Sequence, residues 1–535
     1  MSETNLRPEL ARHLRQRFQA FREGFRHNLA LIGPPGSGKT FQLHQLLASP
    51  PQDVLLVYCP LYRESARSFL MRLLGAILHA GLKSPAEPSP LQADRPETVD
   101  ALLQRANQEL PRTAEAARHV QGLLGRRNYG ETLNRTLDLI PILIEERHHP
   151  CVLIFDEFLY MDDLGFSHAF HELGKRVMTW PSTLFILASS APYRARMILR
   201  ERLQLLFGQF ELLTLEAPEP ATAVTWVEQE LRGIRKAKTV SHFLIHWLGA
   251  YPWYLAVFLK RLKELAAIGR TSEVTEPLFL QTAWDICGRS EGPLHQWCAS
   301  RLEQLGQTKA GARAGEALLQ VAQGARTATA IGMRIGRGGL SAALQLLVEH
   351  DLAQRNGTCW IARDPILRCW LSTIVAAERS GTRVSGAELR QRFEAHVRAL
   401  WTEWSQARHA SLSDQVIALF GKFCDDTVLL DSKAGRLPKF TTITTQGAEP
   451  PTPERYVVAE GEGRRWCAAV REARLSETDI ATFDAFCRTQ SPRPSRKVVI
   501  AAQGLDDNAR LLAKTVNMWV WGADDLHMLR ELYGR

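Results

Sequence analysis

Residues 31–47 read LIGPPGSGKTFQLHQLL. An apolar run, 28–32, has the length of a buried strand. A glycine-rich loop follows, then lysine, threonine and an amphipathic helix predicted to reach about Ala48. Gly33-Pro34-Pro35-Gly36-Ser37-Gly38-Lys39-Thr40 fills every position of a phosphate loop. Its glycines let the backbone curl until the N–H groups converge on a β-phosphate, and the helix N-terminus adds partial positive charge. Lys39 is placed to reach the β- and γ-phosphates, and the Thr40 hydroxyl to ligate magnesium. The ligand implied is ATP with Mg2+.

Working outward, "DVLLVYCP" (53–60), "PCVLIFDEF" (150–158), "STLFILASS" (182–190) and "FELLTLEAP" (210–218) are further apolar runs of strand length, separated by helical patterns. That alternation predicts an α/β fold whose mostly parallel sheet is covered on both faces. Asp156 and Glu157 stand at the tip of the third strand. Asp156 is placed to hold hydrated magnesium and Glu157 to polarise the attacking water as general base, which favours hydrolysis over binding alone. Ser189, ending the next strand, is the candidate sensor of the γ-phosphate. Residues 8–27 read as a basic amphipathic helix, and the proline-rich stretch 82–98 as a surface loop.

A chain of 535 residues exceeds one core, so three or four domains are expected. Its 45% hydrophobic and 23% charged residues are ordinary for soluble globular protein. No apolar run is long enough for a membrane span, and the N-terminus lacks the apolar core of a secretory signal. Nine scattered cysteines without a CxxC pair suggest neither zinc nor disulfides, and point to the cytoplasm. The net charge of +9 comes mainly from dispersed arginine, so DNA is permitted as a partner but not demanded.

These residues resemble the archaeal-type ATPases of the STAND class, relatives of the AAA+ proteins. "FELLTLEAPEPATAVTWV" (210–227) is similar to the family's strand, proline and lid helix. "LGAYPWYLAVFLKRL" (248–262) resembles its G-x-P-x-x-L lid motif, whose proline, here Pro252, is implied to lie over the nucleotide base. Residues 315–371 resemble its winged helix, closed by a hairpin with Asn356-Gly357 at the turn, and the D-P-x-L-x-x-W that follows. The resemblance implies an ATP-driven switch, often oligomeric. Many relatives carry Gly-Arg before the lid strand, with the arginine facing the γ-phosphate; this chain has Gly208-Gln209. A neutral amide does not offset transition-state charge. The finger therefore comes from elsewhere, with Arg194, Arg196, Arg200 and Arg202 as nearby candidates, or turnover is slow.

The expected division is a P-loop ATPase core (1–218), a helical lid (219–305), a winged helix (306–377) and a last domain (387–535). The segment "GGLSAALQLLVEHDL", where a winged helix would read DNA, has no lysine or arginine, which favours an interdomain or partner role. The last domain resembles a PD-(D/E)XK restriction-endonuclease-like fold. Aligned on its tryptophan, the Glu-x-Lys motif falls on Ala469-Val470-Arg471, with Glu454 the nearest stand-in for the missing aspartate. Glu472-Ala473-Arg474 imitates the motif without its lysine. The resemblance therefore implies the fold without the cleavage chemistry. The alternatives are a DNA-binding ATPase accessory factor and an ATP-gated nuclease. Lys39→Ala is expected to abolish ATP binding or turnover, read by equilibrium nucleotide binding and phosphate release.

Overall fold

The structure is a computed structural model that describes residues 6–48, 53–82, 96–166, 168–201, 210–379, 384–430, 433–447 and 455–533. It comprises two compact units, each with its own core.

The first unit is built on five parallel strands: β1 (Asn28–Ile32), β2 (Leu55–Pro60), β3 (Cys151–Asp156), β4 (Thr183–Ser189) and β5 (Phe210–Thr214), in the order β2-β3-β4-β1-β5. Alternate residues serve opposite layers, as the pleat requires. Leu29, Leu31, Val152 and Ile154 pack against α1 (Pro8–Arg22) and α2 (Lys39–Ala48) through Leu14, Phe18, Phe21 and Leu43. Ala30, Ile32, Leu153 and Phe155 join the opposite layer, supplied by α3 (Ala66–Leu82), α4 (Pro96–Glu109), α5 (Pro111–Gly125), α6 (Tyr129–Leu137), α7 (Leu139–Arg147) and α8 (Ala169–Thr179). Burial on both faces is why the inner strands read as continuous apolar runs. The predicted loop 82–98 is shorter at both ends, since α3 includes Leu82 and α4 begins at Pro96; 83–95 lie outside the described residues. After β4 come α9 (Pro192–Glu201) and, beyond β5, the helices α10 (Pro220–Glu230), α11 (Ala237–Leu248) and α12 (Pro252–Ile268).

The second unit opens with α13 (Glu276–Ala283) and α14 (Pro293–Gly306). Three helices, α15 (Lys309–Ala322), α16 (Ala328–Ile335) and α17 (Leu340–Glu349), lead into the hairpin β6 (Ala353–Asn356) and β7 (Cys359–Ala362). Next are α18 (Pro365–Trp370), α19 (Ala376–Glu378), α20 (Gly386–His409) and α21 (Leu412–Phe420), then a second hairpin, β8 (Asp426–Leu430) and β9 (Lys433–Leu437). The second large sheet has the order β10-β11-β12-β13-β14. Its strands β10 (Thr442–Gly447), β11 (Arg455–Gly461) and β12 (Arg464–Arg471) form an antiparallel meander. Parallel strands β13 (Arg496–Ala501) and β14 (Trp519–Trp521) follow the crossover helices α22 (Glu477–Thr489) and α23 (Asp507–Thr515), and α24 (Ala523–Tyr533) closes the unit.

The turn of the first hairpin is displaced by one residue from the expected Asn356-Gly357. Asn356 pairs with Cys359, so Gly357-Thr358 make the turn. The reason is a partner invisible in local sequence: the hairpin tip is bonded to β8. Asn356 donates to the Leu429 carbonyl at 3.1 Å and accepts from its amide at 2.6 Å. The Thr358 amide donates to the Thr427 carbonyl at 2.8 Å. Beside them the Arg326 guanidinium stacks 4.7 Å from the Tyr533 ring, and the Tyr533 hydroxyl donates to Asp426 at 2.9 Å. Gly357 has φ +61°, and a Cβ there would lie 2.0 Å from the Thr427 carbonyl oxygen. Gly357→Ala therefore combines left-handed strain with a backbone clash. Amide exchange at Thr358 and Thr427 is expected to accelerate by about tenfold or more, equivalent to roughly 1.4 kcal/mol of lost local stability.

Candidate functional site

In the first unit, strand register brings the candidate residues together. Ile32 is level with Ser189, and Phe155 with Leu187, so β1, β3 and β4 end at one edge of the sheet. The loop 33–38 starts there, anchored by the Gly33 amide donating to the Ser189 carbonyl at 3.2 Å. Gly36 and Gly38 have φ +75° and +93°, the left-handed conformations that wrap the loop and that a side chain would strain. Lys39 opens α2 and is 3% exposed; its ammonium donates to the Gly33 carbonyl at 2.9 Å and the Pro34 carbonyl at 3.1 Å. Ser37 is fully buried, and its hydroxyl lies 3.4 Å from the same ammonium. Pro34 and Pro35 complete the curve before the glycines.

Thr40 reaches across the sheet edge and donates to Asp156 Oδ2 at 2.8 Å. The same oxygen accepts from the Tyr58 hydroxyl at 3.1 Å. Asp156 Oδ1 is buried without a hydrogen-bond partner. A carboxylate oxygen in that state beside a threonine hydroxyl fits a hard divalent cation, since magnesium is held by oxygen ligands that retain several of its waters. Residues 6–186, which hold the loop, Thr40, Tyr58 and Asp156, match the AAA ATPase domain family. This is a P-loop ATPase domain.

No curated protein matches the chain. Among solved structures, the Walker-type ATPase of Pyrococcus abyssi is 17% identical, with TM-score 0.48 over 68% of this chain and 95% of that one. The Aeropyrum pernix ORC2 protein in its ADPNP-ADP complexes is 15% identical, with TM-score 0.42 over 74% and 95%. The Thermotoga maritima RuvB Holliday junction branch migration motor is 13% identical, with TM-score 0.32 over 72% and 96%.

Around the ATPase centre the two serines at the end of β4 divide their contacts. Ser189, the candidate sensor, is fully buried and accepts from the Ala191 amide at 3.1 Å. Ser190, the next residue, holds Glu157. Its amide donates to Glu157 Oε2 at 2.9 Å, and its hydroxyl donates to Oε1. Glu157 itself has φ +56°, an uncommon conformation for glutamate, which points its side chain back to β4 rather than along the strand.

Helix α12 meets the loop directly. The Trp253 amide donates to the Gly36 carbonyl at 3.3 Å, and Pro252, first residue of α12, lies 3.9 Å from where a Cβ on Gly38 would stand. Sequence reading missed Arg7, just ahead of α1, whose guanidinium donates to the Ser37 carbonyl at 3.1 Å and to the Glu216 carbonyl. A lone arginine before a helix carries no local signal of that contact. Of the candidate fingers, Arg194 is paired with Asp162 at 3.0 Å, Arg196 lies 3.4 Å from the Thr214 hydroxyl and Arg200 pairs with Glu201. Arg202, Gly208 and Gln209 lie outside the described residues.

Burial lowers the Lys39 pKa, with the Glu157 and Asp156 carboxylates opposing it. Burial raises Glu157 above the ordinary 4.5, against the pull of Lys39 and the two hydrogen bonds from Ser190. A carboxyl whose pKa is raised on folding contributes stability fully below its unfolded value, and loses it as pH rises through the folded value. Glu157→Gln stays neutral throughout. The variant is expected to melt above the parent at pH 8, with the gap narrowing as pH falls towards 5, in a pH series of thermal unfolding. A gap independent of pH would contradict this account.

Proposed function

We propose that the protein is a magnesium-dependent ATP-hydrolysing switch of the STAND type. The observation that carries this reading is the contact of α12 with the phosphate loop, Trp253 on Gly36 and Pro252 beside Gly38. A loop that must accommodate phosphates cannot change without affecting the helix bonded to it.

In the proposed mechanism Lys39 and the loop amides hold the triphosphate. Thr40 and Asp156 would hold magnesium, which when bound would supply positive charge against the triphosphate. Glu157 accepts a proton from the attacking water, which requires its carboxylate to leave Ser190 or share it with the water. Ser189 supports the strand end beside the γ-phosphate. Arg194 and Arg200 are held in ion pairs and Arg196 reaches Thr214, so in this proposal the charge-stabilising arginine comes from elsewhere or turnover is slow. The nine cysteines form no CxxC pair, a spacing that supports a cytoplasmic reading, and no helix among the described residues is long and apolar enough to cross a membrane.

For the second unit, helices α15–α17 and the hairpin β6–β7 support the winged-helix reading, and the meander followed by helix–strand crossovers supports the nuclease-like one. Neither carries its usual chemistry in this proposal. The hairpin tip is bonded to β8, and α17 presents no cation to phosphates. Ala469 stands level with Tyr456 in an apolar cluster with Phe483, and Tyr456 stacks on Phe486 with ring centroids 4.4 Å apart. That surface suits packing, not metal. Glu472 is exposed beyond β12, and Glu454 lies outside the described residues.

Glu157→Gln is expected to keep ATP binding and lose hydrolysis by about 100-fold or more. The trapped complex should change amide exchange in 220–264 relative to nucleotide-free protein, and light scattering would show whether a second copy joins. Unchanged exchange would remove the switch. Steeply salt-dependent duplex binding, or magnesium-dependent cleavage lost in Glu472→Ala, would favour the DNA-acting or nuclease alternatives.

A further inference from the structure

Tyr58 sits on β2, next to the strand that ends in Asp156, and is 3% exposed. Its ring belongs to the core layer formed with Leu43, Leu46, Val152 and Ile154. The His44 ring meets it edge-on at 5.5 Å and 78°, and His44 lies one helical turn beyond Thr40 on α2. A phenylalanine would fill this place equally well. The hydroxyl is the only part of the side chain the core does not need, and burying it unbonded would be costly. It spans the sheet edge to Asp156 Oδ2 at 3.1 Å.

Asp156 has two unequal oxygens. Oδ2 is held by Thr40 and Tyr58 from two different elements, while Oδ1 is buried and unpartnered. Two donors on one oxygen fix the rotation of the carboxyl group, so the other oxygen keeps one direction. We propose that Tyr58 is a positioning residue for the magnesium site: it locks Oδ2 so that Oδ1 faces the cation's hydration shell, and it frees Thr40 to turn its lone pair to the metal without loosening the aspartate. This rests on the magnesium-dependent reading above. Outer partners of this kind orient first ligands, and their loss typically weakens metal affinity by about 10- to 100-fold.

The test is a magnesium titration of nucleotide binding in the full chain, using ATP carrying a fluorescent mant group on the ribose, for the parent and Tyr58→Phe. A parallel arm contains EDTA. Phenylalanine keeps the ring and its packing on His44, and the EDTA arm reports whether the loop still binds nucleotide. The expected result is a half-saturating magnesium concentration about tenfold higher in Tyr58→Phe, with metal-free binding within about twofold of the parent. An unchanged magnesium midpoint overturns the proposal. So does equal weakening in both arms, which would make Tyr58 a general support of the loop. If the parent itself shows no magnesium dependence, the magnesium reading fails first, and the proposal with it.

Discussion

A hydrogen bond of 2.8 Å between Thr40 and Asp156, side chains 116 residues apart in the chain, is the point on which the rest of the first unit depends. It forms only if β1 and β3 finish at the same edge of one parallel sheet. They are not neighbours: β4 lies between them, and its register sets how far each projects. Every residue of the apolar strands contributes to this indirectly. Burial on both faces leaves the strands little freedom to slip, since a one-residue shift would exchange the two core layers.

That edge also concentrates charge where the fold tolerates it least. Lys39, Asp156 and Glu157 are drawn together there: Lys39 is bonded to backbone carbonyls, Glu157 to Ser190, and Asp156 through Oδ2 while its Oδ1 is left unpartnered. The arrangement is strained in two senses. Glu157 has a left-handed backbone, and its carboxyl is less acidic than in solution. Such costs are carried by the surrounding core and are characteristic of sites organised for chemistry.

The second unit shows the reverse tendency. Side chains at its hairpin tip and on β12 are engaged in packing. Asn356 and Thr358 bond to β8, and Ala469 shares an apolar cluster with Tyr456 and Phe483. An asparagine-glycine pair ordinarily marks the two central residues of a tight turn. It failed to do so here because the asparagine side chain had a tertiary partner that outweighed the local preference.

The sequence by itself determined the phosphate loop, the acidic pair at the tip of β3 and the alternation of strands and helices. The reason is that those features are local: glycine spacing, side-chain chemistry and apolar run length act within a few residues. Tertiary structure alone decided which serine touches Glu157, which hydroxyl supports Asp156 and that Arg7 reaches the loop. Ser189 and Ser190 are adjacent and chemically alike, and only the fold buries Ser189 at the end of β4 and sets Ser190, just beyond it, on Glu157. Tyr58 reads as one more apolar strand residue until β2 is laid beside β3. Contacts between distant segments depend on strand order and register, and no local pattern encodes either.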